Sequence, residues 1–200
     1  MENKKMNKRI KIFLDLDGCI SDWLGNGCKT CGVDATDPVI RNQLKDGVWL
    51  DDIIDKEVMW DTINSRTHTW WMELELLPWA KKLVETLRPL GDFAFLTSPG
   101  DMVKHPITAA NAAYGKVLWC NEHFKGIPLI ISHSKHLNAN ENSILIDDSK
   151  LKIDNFMLYG GRTFTWPNQY RFIDGELNVD EYLEELVYQI KMMKHQIADK

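Results

Sequence analysis

Two carboxylates, Asp15 and Asp17, lie one leucine apart at the end of the apolar run IKIFLDLDGCI, with Gly18 directly behind them. On an extended chain, residues two apart point the same way, and a glycine permits a sharp exit with any backbone dihedral. Like charges this close need a compensating cation, or one of them keeps its proton. Both states are useful together: one carboxylate attacks as a nucleophile while binding magnesium, and the other gives and takes protons. A second acidic pair, Asp147 and Asp148 in ILIDDSK, ends another apolar run. If the two runs are parallel neighbours, Asp15, Asp17, Asp147 and Asp148 converge on one sheet edge as an oxygen-rich site suited to Mg2+. FLTSPG adds the hydroxyls of Thr97 and Ser98 and the backbone N–H groups that follow, a neutral grip for a phosphate oxygen. Lys135, in SHSKHLNAN just upstream of the second acidic pair, brings a positive charge to the same edge. Taken singly, strand-end acids cap turns and lone lysines are solvated; the order and spacing of all four are harder to obtain by accident.

The elements that must position these groups follow from the apolar pattern. IKIFLD (10–15), DFAFLT (92–97), IPLIIS (127–132), SILID (143–147) and RTFTW (162–166) are dense and short, the mark of strands covered on both faces of a parallel sheet. Helical spacing falls between them at 78–91, 107–115 and 116–126, and a long amphipathic helix closes the chain, capped by Asn178. The alternation predicts an α/β fold, a Rossmann-like parallel sheet flanked by helices, with ligands at the carboxyl ends of the strands. About sixty residues after the first strand break this rhythm. DPVIRNQLK, DDIIDKEVMWDTINS and THTWWMELE read as three helices, and GNGCKTCG before them as a loop. The expected division is therefore a core of 8–17 and 77–196 with a small helical cap, 18–76, inserted after strand one.

Two hundred residues suffice for such a core without disulfides. The net charge of -5 argues against a protein that neutralises a nucleic-acid backbone. The basic stretch KKMNKRIK has no signal-peptide core behind it, and no run approaches a membrane span, so the expectation is a soluble cytoplasmic protein with no membrane or nucleic-acid partner. The sequence leaves oligomeric state open, a homodimer included. Cys28 and Cys31 form a CxxC, and Cys120 with His123 a CxxH, spacings that zinc uses. The halves lie far apart and no ribbon pattern surrounds either, so plain reduced thiols are expected.

DLDGCI, FLTSP, the Lys135 segment and LIDDSK, in that order, resemble the four signature motifs of the haloacid dehalogenase (HAD) superfamily across nearly the whole chain. An acid two residues beyond the nucleophile marks that superfamily's phosphatases. WWMELELLPWAKKLVETL, FLTSP, LIDDSK and YGGRTFTWPNQY, with Gly160, Gly161 and Asn168 in the last, are similar to the 5'(3')-deoxyribonucleotidase group. Two positions depart from that group: Trp79 stands where glycine is typical, and SHS precedes Lys135 without the expected arginine.

The resemblance implies an HAD-like core and a magnesium-dependent phosphomonoesterase acting on nucleoside monophosphates. Asp15 would form an aspartyl-phosphate, and Asp17 would protonate the leaving oxygen and then activate water. Asp15, the Asp17 backbone carbonyl and Asp148 would hold Mg2+, with Asp147 orienting Lys135 or a metal-bound water. Thr97, Ser98 and Lys135 would hold phosphoryl oxygens. Trp70 or Trp71 of the cap could stack on a base, and outside it Lys116, in a Lys-x-x-Trp with Trp119, could reach the phosphate edge. The competing readings are a phosphatase for another small phosphomonoester, a non-catalytic binding module of the same fold, and a 3'-phosphatase on nucleic-acid ends.

Overall fold

The structure, a computed structural model, describes residues 9–198. Residues 4–8 of the basic stretch, including the expected first residue of the core, lie outside the described residues. Five strands, β1 (Lys11–Leu14), β2 (Asp92–Thr97), β3 (Leu129–Ile131), β4 (Ser143–Asp147) and β5 (Arg162–Thr165), form one sheet in the order β3-β2-β1-β4-β5. Every neighbouring pair is parallel. The chain steps outward from β1 to β2 and β3, then returns to place β4 on the other side of β1. That reversal opens a crevice at the carboxyl ends of β1 and β4, where open α/β sheets bind ligands.

Both sheet faces are covered, as the unbroken apolar runs require. Ile12, Leu14, Phe95, Ile144 and Ile146 join the larger core, with residues of α6 (Ala80–Leu87), α7 (Pro106–His123) and α10 (Val179–Ala198). Phe13, Ala94, Leu96 and Leu145 pack on Phe156 of α8 (Lys150–Leu158). Between β1 and α6 run five helices: α1 (Trp23–Thr30), α2 (Pro38–Lys45), α3 (Leu50–Ile53), α4 (Lys56–Ser65) and α5 (Thr69–Met72). The chain leaves and re-enters the sheet region side by side. Leu77 N–H donates to Ile20 O at 2.9 Å, Asp22 N–H to Glu75 O at 2.8 Å, and Ser21 and Leu76 form an antiparallel bridge.

Several expected elements change shape. GNGCKTCG is helical, not a loop: Asp22 caps α1 by accepting from Gly25 N–H, and a Cβ on Gly27 would lie 2.9 Å from Leu50 Cδ2. Gly27 thus serves close packing, and Gly32, at φ +71° with nothing within 4 Å, serves the turn that follows α1. The single helix expected at 51–65 divides because the Asp55 side chain accepts from Glu57 and Val58 N–H and starts α4 afresh. The two helices expected at 107–126 are one. Gly115 does not break α7; a Cβ there would meet His68 O at 2.4 Å, so the glycine lets α7 touch the segment at α5. The helix expected at 78–91 ends at Leu87 and continues as a 3-10 turn, Arg88–Leu90. Neither α8 nor α9 (Gln169–Ile173) was expected.

Candidate active site

The acid turn begins where β1 ends. Asp15 N–H continues the ladder to Ile146 O at 2.9 Å, and the chain then folds so tightly that Cys19, Ile20 and Ser21 N–H all point to Leu16 O. Gly18 has φ +72°, and a Cβ there would lie 2.0 Å from Asp148 Oδ2. Glycine is required twice at this point, by the left-handed backbone and by the approach of the Asp148 carboxylate.

Lys135 opens a 3-10 turn, Lys135–Asn138, and is 1% exposed. Its ammonium lies 2.8 Å from Asp15 Oδ1 and 2.7 Å from Asp147 Oδ2. Burial alone would lower this lysine, but the two carboxylates overcome it and hold the ammonium above its ordinary value. Leu16 N–H also donates to Asp15 Oδ1, at 2.8 Å, so both contacts fall on one oxygen. Asp147 is engaged on both oxygens, the second accepting from Ser149 N–H at 2.9 Å.

Asp15, Asp147 and Asp148 each bring one oxygen into a group whose members lie within 4.8 Å of one another. Burial, and then the charge of Asp15, push Asp147 up to about 6 against the pull of Lys135. Burial followed by Asp147 and Asp15 raises Asp148 as well. One lysine does not balance three converging carboxylates. The hard oxygen donors and the excess negative charge suit a hard divalent cation. The Asp17 carboxylate is not one of the three: Ser21 Oγ donates to its Oδ1 at 3.1 Å, and Lys116 Nζ to its Oδ2 at 2.5 Å.

Thr97 and Ser98 stand at the end of β2, on the same edge. Thr97 Oγ1 accepts from Lys116 at 3.0 Å, the Ser98 carbonyl accepts from Lys116 at 2.7 Å, and Ser98 Oγ accepts from Gly100 N–H at 3.2 Å. The two hydroxyl protons stay available to a ligand oxygen.

The expectation that Trp70 or Trp71 faces a ligand is corrected. Both are 2% exposed, and the Trp70 indole N–H donates to Thr30 Oγ1 at 2.9 Å. Their rings pack edge to face, 5.2 Å apart, inside the inserted helices. Another aromatic of the inserted helices, outside the WW run, is only half-buried: Trp23, at the start of α1 and two residues after Ser21. Its ring meets Trp70 at 5.7 Å and Trp60 at 6.2 Å. Trp79 fills the core against Phe172, with centroids 5.0 Å apart, and its indole N–H donates to Cys19 O at 2.8 Å. The residue that departs from the deoxyribonucleotidase pattern thus ties the return segment to the acid turn.

The four cysteines are free thiols. Burial raises Cys28 to about 11 and Cys120 to about 12, so both are neutral thiols in the metal-free fold. Among the described residues no potential metal-holding group includes a cysteine.

The model of a family described as "5' nucleotidase, deoxy (Pyrimidine), cytosolic type C protein" matches residues 8–195. No curated protein matches the chain. Among solved structures, the haloacid dehalogenase-like family hydrolase SP0104 from Streptococcus pneumoniae is 19% identical with a TM-score of 0.50, covering 92% of this chain and 99% of its own. A predicted phosphatase from Clostridium acetobutylicum is 14% identical with a TM-score of 0.51, covering 90% of this chain and 99% of its own. At these identities the likeness is one of fold, and the fold is HAD-like.

Proposed function

Because the chain belongs to the 5' nucleotidase, deoxy (pyrimidine), cytosolic type C family and is a phosphatase of that kind, we propose that it hydrolyses (deoxy)ribonucleoside monophosphates, at the 5' or 3' position, with Mg2+. The observation that carries this reading is Lys135 bridging Asp15 and Asp147 beside Asp148, at the point where strand order reverses. With Oδ1 held by Lys135 and Leu16 N–H, Asp15 presents Oδ2 to phosphorus. The new P–Oδ2 bond forms as the P–O bond to the nucleoside breaks, and Asp17 gives a proton to the departing oxygen. Water then attacks phosphorus, Asp17 takes its proton, and the P–Oδ2 bond breaks to release inorganic phosphate. Thr97, Ser98 and Lys135 steady the phosphoryl oxygens through this exchange. Bound at Asp15, Asp148 and the Asp17 carbonyl, Mg2+ would offset the charge that repels an anionic ester from an anionic nucleophile.

The proposal includes the division into a core of 8–17 and 77–196 and a cap of 18–76, with the cap choosing the ester, and a cytosolic location. No described helix is long and apolar enough to cross a membrane. Trp23, more exposed than Trp70 and Trp71 and packed edge to face on Trp70, takes the role first expected of those two. Stacking on a base is worth about 1–3 kcal/mol, enough to favour nucleotides without fixing base identity.

Phosphate release across nucleoside monophosphates and sugar phosphates, with and without Mg2+, tests the whole reading. The expected result is Mg2+-dependent turnover that favours nucleotides. Asp15→Asn should abolish it in a folded protein, and Trp23→Ala should erase the preference. Equal, poor rates across the panel would reject nucleotide specificity, and wild-type turnover by Asp15→Asn would reject the mechanism.

A further inference from the structure

We infer that Lys116 is a positioning residue for Asp17 and not a ligand of the substrate phosphate, an inference that rests on the phosphatase reading above. An ammonium group has three N–H donors. Lys116 is 3% exposed, and its Nζ meets three protein oxygens: Asp17 Oδ2 at 2.5 Å, Ser98 O at 2.7 Å and Thr97 Oγ1 at 3.0 Å. Every donor is spent before a substrate arrives. Lys135 differs in this respect, because among the described residues its ammonium meets two carboxylate oxygens and keeps a third donor for a phosphoryl oxygen.

The helix that carries Lys116 is itself fixed from the other side. Gly115, its neighbour, lets α7 close on His68 O and Trp71, and the Trp119 indole N–H donates to Leu74 O at 2.7 Å. Lys116 therefore reaches the acid turn from a base anchored in the return segment. Its buried Nζ joins the end of β2 to Asp17. Ser21, the other partner of the Asp17 carboxylate, belongs to the acid turn itself and offers no such external reference. Without Lys116, Asp17 would keep its place in the chain and lose its fixed direction.

The test is steady-state kinetics of Lys116→Met and Lys116→Arg with a nucleoside monophosphate, with inorganic phosphate as product inhibitor. Arginine keeps the charge, but its planar fork cannot serve three oxygens that converge on one nitrogen. Both variants should lose about 100-fold in kcat, the scale expected when a proton-transfer group is misplaced. KM and the inhibition constant of phosphate should stay within about twofold, since uniform binding is untouched. Adding Lys116→Met to Asp17→Asn should lower kcat no further. If instead KM and the phosphate constant rise while kcat holds, Lys116 is a phosphate ligand and the inference fails. Unchanged kinetics, or full additivity with Asp17→Asn, overturns it too. A wild-type protein without phosphatase activity would reject the function itself. The contact would then be read separately from melting temperatures: the double variant should lose less than the two single losses combined, and simple additivity overturns the pairing.

Discussion

Lys135 is buried between Asp15 and Asp147, and its worth to the fold is set by what would remain without it. Replacing it by methionine leaves two carboxylates facing each other with no cation between them, and breaking a buried pair in this way costs about 3–5 kcal/mol. For a chain of this length that is a fall of roughly 10 °C in melting temperature at neutral pH. The deficit should shrink as pH falls through about 6, where Asp147 begins to take up a proton even in the wild type. Thermal melts of Lys135→Met at pH 5 and 7 check this, and an equal deficit at both would show that charge is not its cause. At this scale much was legible. Asp15, Asp147 and Thr97 end apolar strands, and strand ends can be read from a one-dimensional pattern. Lys116 was recognised only as a resemblance, because its partner Asp17 is 99 positions away in sequence and no local pattern joins them. Trp70 and Trp71 were misassigned because an aromatic run looks the same whether it lines a site or fills a core.

Among the elements, the strands followed from dense apolar runs and the long C-terminal helix from its periodicity, whereas helices were blurred wherever glycine did structural duty. Gly27 and Gly115 each allow another segment to approach, which a sequence reading takes for a loop or a break. Least legible was the contact of α2 with the chain around α9. Arg41 bonds Asp174 through Nε and Nη2, the latter at 2.7 Å, and lies 3.7 Å over the Tyr170 ring. Lys45 reaches Asp174 and Glu176, and Asn168 donates to Leu44 O at 3.0 Å. The inserted helices are thus tied to the sheet region at α9 as well as through the paired segments that lead in and out. The Arg41 hydrogen bonds, with a smaller contribution from Lys45, hold Asp174 down to about 2 against burial. A depressed carboxylate stabilises the fold above its ordinary value and loses that contribution as pH falls through the depressed one. Water still reaches these side chains, 19% exposed at Arg41 and 27% at Asp174, so Arg41→Ala should cost only about 1 kcal/mol, a few degrees of melting temperature. The wild-type advantage should narrow in about 1 M salt, where the screening length drops to about 3 Å. Melts of both proteins at low and high salt decide it, and an advantage indifferent to salt would assign Arg41 a packing role.

For the molecule as a whole, the reversal of strand order gathers acids from β1 and β4 at one edge, and the protein without metal bears the cost of that gathering. Asp147 and Asp148 both titrate above the ordinary carboxylate value in the fold. A raised carboxyl favours the folded state on the acid side and costs stability as pH rises through its folded value. A divalent cation binds the ionised group and removes that cost, but on the acid side it must first displace protons. Mg2+ should therefore raise the melting temperature more at pH 7.5 than at pH 5. Saturation at about a hundred times the dissociation constant corresponds to about 2.7 kcal/mol. Asp148→Asn should remove most of the Mg2+ effect, because it deletes the cluster carboxylate that neither bonds Lys135 nor carries the proposed nucleophilic oxygen. Thermal melts across a Mg2+ series at the two pH values measure this without reference to turnover. A shift that is the same at both, or that survives in Asp148→Asn, would move the cation away from the acids that the sheet brings together.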